Sequence, residues 1–235
     1  MLNSFPYIIT SLGDSALLID FGNIISEELN NHIVHLCKTL EENPVEGMIE
    51  VVPAYSSFAI YYNPLSLRHS IEPGKSVFEK IKMQVEERLL NAKSQSIHSG
   101  DFIRIPVCYD ARFGFDQQYM EEKTNLSKEE IIEIHTSKIY HVYMLGFLPG
   151  FPYMGEVDDQ IMVQRKQSPI SVPAGSVGIA GKQTGIYPLN SPGGWQIIGR
   201  TPVKMFLPER TPPVYLKAGD KVQFYSITCD EFESY

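Results

Sequence analysis

The stretches Gly146–Gly155 (GFLPGFPYMG), Val172–Pro188 (VPAGSVGIAGKQTGIYP) and Ser191–Pro202 (SPGGWQIIGRTP) interleave aromatic and polar residues with turn-formers. Residues 135–217 hold 10 of the 17 glycines and 10 of the 16 prolines, so backbone shape is specified most closely there. Runs of β-formers between those turns, at Ile139–Met144, Val177–Ile179, Gln196–Ile198, Val203–Phe206 and Lys221–Ile227, predict short strands of a β-barrel or sandwich. Ahead of them the sequence predicts a strand at Phe102–Val107, a short helix near Asp116–Lys123, and a helix opened by a capping box between Ser127 and Glu130.

The first part of the chain reads differently. Tyr7–Ile9, Ala16–Ile19, Met48–Val52 and Phe58–Tyr62 are short, β-rich and bounded by turn residues, as strands are. Between the second and third, Leu29, Ile33, Leu36, Cys37 and Leu40 recur at helical spacing behind a Ser26 N-cap, with Pro44 beyond the end. A second amphipathic helix starts at Ser76, boxed with Glu79, and carries Val77, Ile81, Val85 and Leu89 along one stripe. The order ββαββα implies an α+β domain with one sheet face under two helices. The polar, aperiodic segment Asn91–Gly100 is the expected linker, giving an α+β domain at 1–95 and a barrel domain at 96–235.

Composition narrows the function classes. The 235 residues are 43% hydrophobic with a net charge of −8, a balance that opposes a nucleic-acid backbone. Residues 135–217 nevertheless carry eight Lys or Arg against four acids, a local +4 that suits a small anion or an acidic partner. No apolar run is long enough to span a bilayer, and the N-terminus lacks the pattern of a secretion signal, so a cytoplasmic protein is expected. Cys37, Cys108 and Cys229 are scattered and odd in number, which suggests incidental thiols and no disulfide framework or zinc cluster.

The turn-rich region offers binding groups more readily than catalytic ones. Phe147, Pro149, Phe151 and Tyr153 could hold rings on a stiff loop as an apolar wall, or plug one end of the barrel. Gln183, Thr184 and Tyr187 place amide, hydroxyl and phenol groups beside glycine turns, where they could fix a small polar ligand. Trp195 follows Gly193 and Gly194, whose free N–H groups could form an anion nest, and Arg200 could grip a carboxylate or phosphate. The glycines match neither a P-loop nor a dinucleotide fingerprint. His135 is the one candidate acid or base, with a structural hydrogen bond as its alternative role, and no spacing indicates a metal site.

Taken together and in order, HTSKIYHVYMLGFLPGFPYMG, VPAGSVGIAGKQTGIYP and SPGGWQIIGRTP, with LGDSALLIDFG near the start and IPVCYD at Ile105–Asp110, resemble the family of 5-oxoprolinase B subunits. The same family is called allophanate hydrolase subunit 1 or the KipI kinase-inhibitor family. The resemblance covers nearly the whole chain. It implies an α+β domain followed by a cyclophilin-like β-barrel. It also implies ATP-dependent opening of 5-oxo-L-proline to L-glutamate in a complex with a second cyclophilin-like subunit and a LamB/YcsF-type subunit, with ATP and Mg belonging to the complex. The alternative it carries is a regulatory protein that inhibits a sensor histidine kinase. Members have two proline-arginine pairs before the Val-Pro-Ala-Gly-Ser run, where this chain has Gln164-Arg165 and Pro169-Ile170. Arg165 therefore joins the expected site, and the second guanidinium is absent.

Overall fold

Alternating apolar side chains build the first of two units in the computed structural model, which describes residues 5–70, 75–91 and 100–235. The units are Met1–Ser99 and Gly100–Tyr235, and residues 92–99 of the expected linker lie outside the described residues. In the first unit β1 (Ile8–Ser11), β2 (Ala16–Asp20), α1 (Glu27–Glu42), β3 (Met48–Pro53) and β4 (Ser57–Tyr62) follow one another. They form an antiparallel sheet in the order β1-β2-β4-β3. Leu17 pairs with Ile60 and Ile19 with Phe58, so four side chains with no exposed surface share one face. The stripe Leu29, Ile33, Leu36, Cys37 and Leu40 of α1 is buried in the same core, and Ser26 Oγ accepts from Leu29 N at 3.4 Å as its cap. A one-turn helix α2 (Pro64–Leu67) and a 3-10 turn (Arg68–Ser70) intervene before α3 (Val77–Asn91), an addition to the expected order. Pro64 sits in the first turn and Asn63 Oδ1 accepts from Leu65 N at 3.0 Å, a local device too short to show as periodicity. The Ser76–Glu79 capping box opens α3, whose Ile81, Val85 and Leu89 complete the core.

The second unit is a closed barrel with helices beside it. In chain order it contains β5 (Phe102–Cys108), α4 (Gln117–Thr124), α5 (Lys128–Ser137), β6 (Ile139–Leu145), β7 (Pro152–Gly155) and β8 (Ile170–Val172). There follow β9 (Ser176–Ala180), β10 (Gln183–Ile186), β11 (Ser191–Gly193), β12 (Gln196–Arg200), β13 (Lys221–Ile227) and α6 (Cys229–Glu233). Around the barrel the order is β10-β7-β6-β13-β5-β12-β9, closed by β9 on β10, while β8 and β11 form a separate ribbon. Only β5 and β13 run parallel; closure leaves no open edge. Ile105, Val107, Tyr140, Val142, Met154, Val177, Ile179, Ile186, Val222 and Phe224 fill the interior.

One expected strand is not there. Val203–Phe206 makes a single isolated bridge, Phe206 to Val214, because its surroundings contain Pro202, Pro208, Pro212 and Pro213, which cannot donate to a ladder. The segment is stitched by local bonds instead: Val203 N to Thr201 Oγ1 at 3.2 Å, Leu207 N to Pro213 O and Tyr215 N to Met205 O, both at 2.8 Å. Met205 and Leu216 anchor it in the barrel core.

Candidate functional site

Four rings converge around Phe151. Its centroid lies 5.8 Å from Phe147, 4.9 Å from Tyr153, 5.1 Å from Tyr187 and 5.3 Å from Trp195, mostly edge to face. Glycines admit these rings to the backbone. A Cβ on Gly185 would stand 2.9 Å from the Trp195 ring and 3.0 Å from Phe151, and one on Gly193 would stand 2.4 Å from the Tyr187 hydroxyl. The glycine content of the region thus serves side-chain packing as much as turning. Phe151 and Tyr187 are buried in a small core of their own with Val172 and Ile197, and Tyr153 and Trp195 lie partly open beside it.

Above this floor is a cleft of about 430 Å³, walled by Phe147, Tyr153 and Trp195, by Arg165, Lys166, Gln167 and Pro169, and by Pro192, Gly193 and Gly194. Phe147 is held there at a backbone cost. Its φ is +67°, and Leu148 N donates to Gly146 O at 2.8 Å to close a three-residue turn about it, a conformation a bulky residue rarely adopts. The ring so presented is 63% exposed. A strained aromatic held in solvent is a candidate contact surface.

The charges of the cleft divide unequally. Lys166 Nζ bonds the Asp116 carboxylate and, at 2.8 Å, the Trp195 carbonyl, and Asp116 also accepts from Ile197 N at 2.7 Å. Asp116 occupies the cap position of α4 but makes no side-chain cap bond, its Oδ2 being turned to Lys166 and Ile197 N. The Arg165 guanidinium is exposed and has no ion pair or hydrogen bond among the described residues. No carboxylate lines the cleft, so Arg165 leaves it positive. The Tyr153 hydroxyl stays a neutral donor, its pKa raised by burial. The lining contains no Ser, Thr, Cys, His, Asp or Glu; the groups left that could act as nucleophile or base are Lys166, tied to Asp116, and the tyrosines. The arrangement can grip and orient a small flat anion, its charge on Arg165 and its ring against the aromatic wall.

Several expected residues lie elsewhere. His135 is wholly buried inside the barrel, with Nδ1 2.8 Å from the Tyr109 hydroxyl, Nε2 3.0 Å from Thr184 Oγ1 and its ring stacked on Phe224 at 4.6 Å. Burial lowers its pKa to about 3. With both ring nitrogens occupied it is a core hydrogen-bonding group, and no ligand reaches it as an acid or base. Thr184 is equally buried and donates to Gly178 O at 3.1 Å, so its hydroxyl faces the interior. Gln183 lies in β10 opposite Gly155 and Ala180, outside the cleft lining, as does the exposed Pro149. Arg200 also stands apart. Its Nε donates to Ala174 O at 2.8 Å, and its guanidinium lies over Phe113 at 5.9 Å and Phe232 at 5.8 Å, so it braces the fold. Neither Gly193 nor Gly194 has a positive φ, so the αR-αL form of an anion nest is not made there. The structure brings together Phe147, Phe151, Tyr153, Arg165, Tyr187 and Trp195, and adds Lys166, Gln167, Pro169 and Pro192. Lys166 could have been suspected from its place beside Arg165 in the basic region and Pro192 from the Ser191–Trp195 turn; Gln167 carries no such signal.

Over residues 7–216 the sequence matches the family described as the carboxyltransferase domain, subdomain C and D. The chain belongs to this family. Among curated members it is 44% identical over 231 residues to the 5-oxoprolinase B subunit of Bacillus subtilis (strain 168), covering 97% of this chain and 96% of that one. It is 35% identical over 216 residues to the 5-oxoprolinase B subunit of Escherichia coli O157:H7, covering 91% and 93%. Among solved structures, PH0987 from Pyrococcus horikoshii shares 43% identity at a TM-score of 0.55, over 96% of this chain and all of that one (100%). TTHA0988 shares 35% identity at a TM-score of 0.74, over 90% of this chain and 40% of that one. The family likeness therefore extends across both units and includes full-length relatives.

Proposed function

We propose that this chain is a subunit of a 5-oxoprolinase, that its aromatic cleft binds 5-oxo-L-proline, and that it is inactive without sister subunits. The observation that carries the reading is the unpaired Arg165 guanidinium at the edge of a ring-lined cleft, in a chain whose full-length relatives are named as B subunits of 5-oxoprolinase. The substrate is a five-membered lactam bearing one carboxylate. Arg165 takes the carboxylate by paired, charge-assisted hydrogen bonds, the lactam ring lies against Phe151 and Trp195, and the Tyr153 hydroxyl donates to the amide oxygen.

Ring opening coupled to ATP calls for a magnesium nucleotide, and the residues present do not fit one. The cleft offers no carboxylate to carry the metal, and among the described residues no group of three or more His, Cys, Asp or Glu is placed to hold an ion. ATP and Mg therefore fall to the other subunits: a second barrel protein of the same kind and a LamB/YcsF-type subunit. This chain holds and orients substrate while chemistry is completed from outside, which accounts for a binding surface without Ser, Cys, His or a carboxylate. Mixing the purified subunits with ATP and 5-oxo-L-proline tests the reading. Glutamate is expected only from the full mixture; glutamate from this chain alone, or an undiminished yield when it is left out, overturns it. Co-purification that returns a sensor histidine kinase and no sister subunit overturns it in favour of the regulatory alternative.

A further inference from the structure

Cys108 and Cys229 are 121 positions apart in sequence, yet their sulfurs lie 3.5 Å from each other. The parallel pairing of β5 with β13 is the cause. Cys108 ends β5 opposite Ile227, which ends β13, and the chain turns at Thr228 into α6, whose first residue is Cys229. A capping box fixes that turn: Thr228 Oγ1 accepts from Glu231 N at 3.2 Å, and Glu231 accepts from Thr228 N at 2.7 Å. The two sulfurs are thus held beside each other by a strand ladder and a helix cap.

Their surroundings differ. Cys108 is buried, and burial pushes its thiol up, whereas Cys229 is only partly buried. Arg112 pairs with Asp110 at 3.3 Å and Glu233 at 3.5 Å, and the neighbouring Cys229 is the first cause that keeps its guanidinium protonated. A cation so placed stabilises the negative charge that gathers on sulfur during nucleophilic attack. Cys37 has no such setting: it is sealed in the core of the first unit, and burial pushes its thiol up strongly.

We propose that Cys108 and Cys229 are a peroxide-oxidised pair that closes to an intramolecular disulfide. Cys229 sulfur attacks one oxygen of a hydroperoxide, the O–O bond breaks, and the thiol proton leaves with the departing alkoxide or hydroxide. That step gives a sulfenic acid on Cys229. Cys108 sulfur then attacks Cys229 sulfur, the S–O bond breaks, and the hydroxide takes up the Cys108 proton and leaves as water. The peroxide accepts both electrons. To reach a bonded S–S distance the sulfurs close by about 1.5 Å, within the reach of side-chain rotation. The bond would fasten α6 to the barrel, where Phe232 already packs against Phe113 with ring centroids 4.4 Å apart.

Peptide mapping of the native full chain after hydrogen peroxide, with free thiols blocked and no reductant added, tests the pair. One cross-linked peptide joining Cys108 to Cys229 is expected, lighter by about 2 Da than its two thiol peptides and reopened by dithiothreitol, with Cys37 still a thiol. In Cys108→Ser, Cys229 should instead accumulate as sulfenic acid that dimedone traps. Wild-type protein that carries sulfinic or sulfonic acid at Cys229 without the cross-link, or that keeps both thiols free, overturns the proposal. So does a Cys37 that oxidises as fast as Cys229.

Discussion

Two aromatic clusters in the barrel unit are made of nearly the same residue types and end as opposites. One surrounds His135 with Tyr109, Tyr140, Phe224 and Thr184; the other surrounds Phe151 with Phe147, Tyr153, Tyr187 and Trp195. In the first, every polar group has an internal partner: the two imidazole nitrogens bond Tyr109 and Thr184, and Tyr140 Oη donates to the His135 carbonyl at 2.9 Å. In the second, one ring is thrust into solvent on a left-handed backbone and a guanidinium waits unpaired. A satisfied polar cluster specifies the fold; an unsatisfied one at the surface specifies a ligand. Chemistry-bearing residue types alone do not tell the two apart.

The sharpest way to break that comparison is to truncate the centre of the closed cluster. His135→Ala removes a stacked ring and leaves two buried hydroxyls short of a partner, so unfolding in urea should show a loss of about 3–5 kcal/mol. The wild type carries a matching acid sensitivity. Because burial holds the folded imidazole at about 3 against the ordinary 6.5, only the unfolded chain takes up that proton in the window between them. The contribution is complete above 6.5 and fades as the pH falls through the window, at up to about 1.4 kcal/mol per pH unit. His135→Ala should flatten that part of the stability profile; an unchanged slope would place the acid sensitivity elsewhere.

Arg165→Ala is the counterpart in the open cluster. The side chain is exposed and touches no described partner, so stability should stay within about 0.5 kcal/mol of wild type. Loss of a charge-assisted, two-point contact should weaken 5-oxo-L-proline binding by roughly tenfold to a hundredfold, measured by calorimetry on the assembled subunits. Equal affinity in the variant would remove the cleft from substrate recognition. A substitution that moves affinity without moving stability, set against one that does the reverse, separates the two clusters experimentally.

What can be read from the sequence follows from how local each signal is. Helices α1 and α3 are legible because 3.6-residue spacing and Ser-x-x-Glu caps are written within a few positions. The paired strands β2 and β4 show the same locality through alternation. In the barrel, the rims of Gly146–Gly155 and Ser191–Trp195 stand out by composition, and their rings do meet. Yet Arg200, beside Gly199, and Arg165, between Gln164 and Lys166, are both arginines of the basic region, and only the fold shows that one is locked to Ala174 and two phenylalanines while the other is free. Thr184 misleads for a related reason. A hydroxyl beside glycines signals a ligand only if its strand face points outward, and the register that turns it inward, Thr184 opposite Ile179 and Met154, is a long-range property. The thiol pair is equally invisible, since strand pairing between the chain's middle and its end brings those sulfurs together.

The smallest predicted effect bears most directly on why the open cluster is built as it is. Phe147 takes a φ of +67°, which glycine adopts freely and a β-carbon resists. If the ring were there to hold the barrel shut, its removal would destabilise the protein, as burial of an aromatic demands. Instead it is mostly exposed and touches Phe151 at a centroid distance of 5.8 Å, so little packing offsets the backbone strain. Phe147→Gly should therefore leave stability unchanged or raise it by up to about 1 kcal/mol in thermal unfolding, the strain relieved outweighing the entropy glycine adds to the unfolded chain. The same variant should bind its ligand or sister subunits less tightly, because the wall is lost. A clear loss of stability would instead make Phe147 a plug, and the distinction between the two clusters would reduce to Arg165 alone.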